Sequence, residues 1–242
     1  MRRLLAFAVI GFLALTVSAA AQAVNFDFGE GTGVTERALQ LVALLTVLSL
    51  APSILVMVTS FTRIVVVLSI LRTAIGAGTA PPNSVIVSLA LFLTAFVMAP
   101  TFKEAYSAGI QPYQAGTIQL EQAFNASAAP FKTFMLRHAR DKDLALFLDM
   151  TNKPRPATAG DVELQVIIPA FMISELRRAF EIAFLLYLPF IVIDLVVASV
   201  LMAMGMMMLP PVAVSLPFKL IFFVLVDGWN LVAGSLVKGF TQ

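Results

Sequence analysis

The chain has 242 residues, of which 60% are hydrophobic and 12% charged, with a formal net charge of +2 and a mean hydropathy of +0.93. A typical soluble domain is about 25% charged, so this composition excludes an ordinary water-soluble fold and places the chain among membrane proteins. No basic stripe interleaved with aromatics supports nucleic-acid binding, and the absence of cysteine excludes disulfides, thiol catalysis and cysteine-ligated metal.

Arg2-Arg3, an apolar run over residues 4–17 and a small-residue cleavage site at Ala19-Ala20-Ala21 or Ala21-Gln22-Ala23 read as a secretory signal, assigned to residues 1–23. The run is about 14 residues, short of the roughly 20 that a spanning helix needs, which favours a cleaved signal over an anchor. Residues 24–36 read as a flexible leader. The alternation Gly29, Gly31, Gly33 within it is no nucleotide loop, because no strand precedes it and no lysine follows.

Residues 37–100 are expected to form a first apolar helical hairpin. Its segments are residues 38–58, carrying Pro52, and residues 84–98, which would reach only about 22 Å against a hydrocarbon core of about 30 Å. Arg63 and Arg72 lie between them without an acid, so that connection is expected on the cytoplasmic side.

Residues 101–178 form a polar, mainly helical region, expected to be extracytoplasmic. Phe131, Phe134, Met135, His138, Leu144 and Phe147 recur at helical spacing among charges, and a loop containing Pro154 and Pro156 precedes a second helical pattern from Glu163. There Glu175 and Arg178, and Arg177 and Glu181, fall on shared faces. His138, the single histidine, is expected on an exposed charged face beside Arg137 and Arg140, with no carboxylate pair or zinc motif to give it a site role.

Residues 179–242 are expected to form a second apolar hairpin, with segments 182–201 and 212–226 and a resumption at 231–237. Pro189 and Asp194 interrupt the first segment, Pro217 and Lys219 the second. Charges at membrane depth cost about 2.5–3.5 kcal/mol, so Asp194 and Lys219 are expected to pair, within one chain or between copies. Between them lies Met202, Met204, Gly205, Met206, Met207, Met208, holding five of the eleven methionines and ending at Pro210-Pro211. Methionine is unbranched and polarizable, so this run reads either as the greasy end of a membrane helix or as a deformable seal. Broken helices with buried charges also suit a secondary transporter, but no internal repeat relates the two hairpins.

The strings Met57-Val-Thr-Ser-Phe-Thr-Arg63, Ala80-Pro-Pro-Asn83, Leu89-Ala-Leu-Phe-Leu-Thr94, Phe134-Met-Leu-Arg137, Ser174-Glu-Leu176, Ile193-Asp-Leu195, Gly205-Met-Met-Met208, Leu216-Pro-Phe-Lys-Leu220 and Val226-Asp-Gly-Trp229 resemble the FliP family of flagellar type III export-gate proteins, which includes the injectisome export proteins. The signal and leader favour the flagellar branch over the injectisome alternative. The resemblance implies an all-α, non-enzymatic pore subunit of interrupted helical hairpins. Five copies would form a ring or cone with FliR-like and FliQ-like partners, passing unfolded flagellar proteins across the bacterial inner membrane at the basal body. It implies a gasket of Met206, Met207 and Met208 supported by Met202, Met204 and Gly205, and assembly or export charges at Asp194 and Lys219. Arg140, Glu175 and Arg137 are implied as candidates for subunit-contact ion pairs; no cofactor and no metal are implied.

Overall fold

The computed structural model describes residues 34–151, 159–206 and 208–241, and all regular structure among them is helical. The signal segment, most of the leader, and Met207 lie outside the described residues. The helices are α1 (Val34–Val58), α2 (Phe61–Ile75), α3 (Asn83–Ala105), α4 (Leu120–His138), α5 (Asp141–Met150), α6 (Leu164–Ala203), α7 (Pro211–Leu225) and α8 (Gly228–Thr241). A π turn over Tyr106–Ile110 and a short helix Gln111–Gln114 continue from α3.

The chain divides into two units, Met1–Leu50 and Ala51–Gln242. In the first, α1 exposes Leu39, Leu41, Leu45 and Leu48, a surface suited to lipid or to other protein and not to water. The second unit is centred on α2. Ile64, Val67, Leu68, Leu71, Ala74 and Ile75 are buried at helical spacing. They pack with Ile86 and Ala90 of α3, Ala179 and Phe190 of α6, Phe223 of α7, and Val232, Leu236 and Phe240 of α8. This corrects the reading of residues 59–83 as a connection between two spans. Most of that stretch is the central helix of the core, and Arg63, offered above as a loop charge, is buried in it.

A smaller core joins the polar region to α6, with Met135 of α4 against Val166, Ile167 and Phe171. The single amphipathic stretch expected over residues 131–147 is two helices. Ala139 and Arg140 adopt extended backbone, the Arg140 amide donates to Ser174 Oγ at 3.0 Å, and Asp141 and Asp143 then open α5 where carboxylates suit a helix N-terminus.

Leu41–Val58, Asn83–Gln114 and Leu164–Ala203 are each long and apolar enough to cross a membrane. The pair α7 and α8, bent by 60° at Asp227, makes a fourth candidate if taken as one broken span. The segment counted above as 15 residues is thus part of a 32-residue helical run, because the helix continues through Pro100, Lys103 and Glu104 where the apolar sequence stops. The charged pattern from Glu163 and the apolar segment 182–201 likewise belong to one helix, α6. Its 40 residues would reach about 60 Å, twice the hydrocarbon thickness, so its charged N-terminal part projects beyond any bilayer that its apolar part spans.

Candidate functional site

Helix α6 ends in a Schellman closure built on one glycine. Gly205 takes φ 75°, its amide bonds the Met202 carbonyl at 3.0 Å, and the Met206 amide bonds the Leu201 carbonyl at 2.9 Å. Pro210 and Pro211 then start α7, where a missing N–H costs nothing at a helix N-terminus. The apex between these ends carries Met204, Met206 and Met208 outward. Met202, Met204 and Met206 are exposed, and Met208 is 99% exposed. A water-facing apex would not hold four unshielded thioethers, so this surface suits other protein copies or lipid.

Below the apex, Asp194 of α6 and Lys219 of α7 sit together within one chain. Lys219 Nζ lies 2.7 Å from Asp194 Oδ2 and donates to the Ala74 carbonyl at 3.2 Å. That carbonyl is one of those left without an intrahelical partner at the C-terminus of α2, where Gly76 at φ 78° ends the helix and the dipole favours a cation. Ser215 Oγ, itself buried, donates to Asp194 Oδ1 at 2.5 Å. Both carboxylate oxygens are therefore engaged, and three helices meet at a neutralised charge pair. Lys219 is buried while Asp194 keeps about a third of its side chain accessible.

A second ion pair lies deeper. Arg63 of α2 donates from Nε to Glu175 Oε2 at 2.8 Å and from Nη2 to Glu175 Oε1, a two-pronged pairing with both side chains buried. Arg63 Nη1 also donates to the Gly239 carbonyl at 3.3 Å, and its guanidinium lies 3.7 Å over the Phe240 ring. One arginine thus ties α2, α6 and the end of α8. Glu175 faces Arg63 and not Arg178, while Arg177 and Glu181 do pair, at 2.9 Å on the exposed face.

Arg140 and Arg137 stand apart from Glu175's carboxylate pairing. Arg140 Nε is 3.5 Å from Asp143 Oδ2, and Asp143 also accepts from Ser174 Oγ at 2.6 Å. Arg137 is exposed. His138 is half-buried, not on an open charged face: its ring lies 4.6 Å from that of Phe134 and 5.2 Å from that of Phe240, and its Nδ1 bonds the Phe134 carbonyl at 2.9 Å. Burial lowers its pKa from 6.5, with Arg63 and Arg137 adding to the effect against the carbonyls of Phe134 and Phe240.

The groups in these constellations that were not singled out from sequence include Arg63 as Glu175's partner, Ser215, and the Ala74 carbonyl. A signal existed for Ser215, one helical turn before Lys219. Arg63 carried one too, as a lone charge ahead of the apolar run Ile64 to Leu68, but its partner lies 112 residues on.

Residues 44–236 match the FliP family. The chain is similar to the flagellar biosynthetic protein FliP of Caulobacter vibrioides, 60% identical over 246 residues that cover 100% of this chain and 92% of that protein. It is similar also to the protein of that name from Rhizobium meliloti, 56% identical over 199 residues and 81% of each chain. The corresponding Bacillus subtilis protein is 52% identical over 201 residues, 83% of this chain and 91% of that one.

Proposed function

The chain belongs to the FliP family, and on that footing we propose that it is a pore-forming subunit of the flagellar protein export gate, closed by its methionine apex. Its flagellar role and membrane location follow from the family and the apolar helices. In the finer reading, five copies form a ring with FliR-like and FliQ-like subunits in the bacterial inner membrane, with the charged region on the extracytoplasmic side. Unfolded flagellar proteins pass through the centre.

The observation that carries this reading is the exposed apex of Met202, Met204, Met206 and Met208, held between two helices that Lys219 and Asp194 clamp together. A pore for extended chains must yield to any side chain and then exclude ions. Thioethers on unbranched stems can do both, because they repack around varied shapes and close dry. Met206, Met207 and Met208 are the gasket in this account, and Gly205 sets the turn that precedes them. Asp194 and Lys219 fix the hairpin for assembly. The work is mechanical and electrostatic, not enzymatic.

Replacing Met206, Met207 and Met208 together by Ala is expected to raise ion conductance of the membrane while the gate complex still assembles. Background conductance in cells with normally assembled variant gates would sink the gasket assignment. Loss of assembly itself would instead make the apex a subunit contact.

A further inference from the structure

An apolar groove of about 580 Å³ lies between the end of α2, the start of α3 and the elbow of α7 and α8. Its walls include Ile75, Pro81, Ile86, Leu89, Phe223 and Trp229, and almost no polar surface enters it. The volume falls in the range of about 300–1,000 Å³ usual for sites that take small ligands.

The rim has a different chemistry. Arg72, one turn before Ile75, donates from Nη1 to the carbonyl of Pro81 at 3.3 Å and to Asn83 Oδ1 at 2.5 Å. Pro81 is also a wall residue, so the guanidinium is held at the mouth of the groove. Both acceptors are neutral, and among the described residues no carboxylate pairs with Arg72. Depth supplies the third observation. Asn83 is the first residue of a candidate span, so Arg72 stands at the water end of that span while the groove descends along Ile86 and Leu89 into its apolar length. Trp229, partly exposed on the groove wall with its ring edge to Phe223 at 5.3 Å, is a residue type enriched at that level of a bilayer.

We propose that this groove holds an acyl chain of an anionic phospholipid whose phosphate is bound by Arg72. The apolar walls take the chain at the depth where lipid chains lie, and an arginine without a carboxylate offers a planar donor edge to phosphate. A neutral lipid would fill the groove but leave the guanidinium without an anion, so the site selects charge at its rim.

The full-length protein would be reconstituted into vesicles of phosphatidylcholine with a minor share of phosphatidylglycerol, extracted in mild detergent, and its retained lipids counted by native mass spectrometry. Wild type should retain phosphatidylglycerol about five-fold above its share, the ratio that about 1 kcal/mol at one cation gives. Arg72→Gln should return the ratio to that of the vesicle, Arg72→Lys should keep most of the preference, and Val85→Trp, which narrows the groove because Val85 also lines it, should reduce both lipids. A preference unchanged in Arg72→Gln, or no retained lipid in wild type, overturns the proposal. A photo-crosslinker at Val85 in otherwise native chain gives a readout that needs no destabilising change: lipid adducts support the site, and crosslinks to a second copy in their place overturn it.

Discussion

Glu175 has no exposure to water, and its carboxylate relies on Arg63 for nearly all of its compensation. Removing one member of a buried pair leaves the other charged and unpaired, which costs about 3–5 kcal/mol, whereas replacing both by apolar groups of similar volume is often far cheaper. Glu175→Ala is therefore expected to lower the thermal midpoint of the detergent-solubilised protein more than the double replacement Arg63→Met with Glu175→Leu does. If the double variant were the less stable, specific geometry and not charge compensation would be what the pair supplies. His138 gives a separate pH effect. Because burial lowers its folded pKa below 6.5, the folded state binds its proton less readily than the unfolded chain. Its contribution is intact above about 6.5 and is lost as pH falls through the lowered folded value. Thermal midpoints measured down through that window should decline less steeply in His138→Gln; equal slopes would show that other groups carry the acid sensitivity.

Helix ends are where sequence and structure agree best and where they part. Gly205 followed by paired prolines marks the apex plainly, since a left-handed residue and a proline start are local signals. Gly205→Ala should cost roughly 1–2 kcal/mol through its positive φ, while Gly205→Asn should cost less, because asparagine tolerates that region. Nothing crowds a side chain there, so equal midpoints for the two variants would mean that the turn rearranges and its conformation is not fixed by the glycine. Elsewhere the signals are not local. The π turn after α3 is matched to Ser127, whose Oγ donates to the Ala105 carbonyl at 3.2 Å, and Gly109 is required because a Cβ would overlap Ser127 and the Ala123 carbonyl. Periodicity within residues 84–114 cannot reveal a partner on another helix. The same blindness hid α2: a helix whose neighbours cover it on several sides, carrying a buried arginine, reads as a charged connection until its partner at Glu175 is known.

Across the whole chain, composition and interrupted apolar segments carried the membrane class and the all-helical fold, while ordered motifs carried the family. The meeting of α2, α6 and α7 was only half legible. Asp194 and Lys219 announce themselves as charges in apolar helices, but the third contributor is a backbone carbonyl, which no side-chain pattern encodes. That carbonyl makes the clamp directional and leads to a prediction that a simple ion pair would not. Exchanging the charges, Asp194→Lys with Lys219→Asp, preserves the pair's formal neutrality. It also places a carboxylate against the Ala74 carbonyl at the negative end of the α2 dipole, where a cation is favoured. The exchanged protein should therefore assemble no better than Asp194→Asn alone, measured as the yield of gate complex from membranes and as swimming motility. Restoration to near wild-type yield would show that attraction between α6 and α7 suffices and that the α2 terminus contributes little.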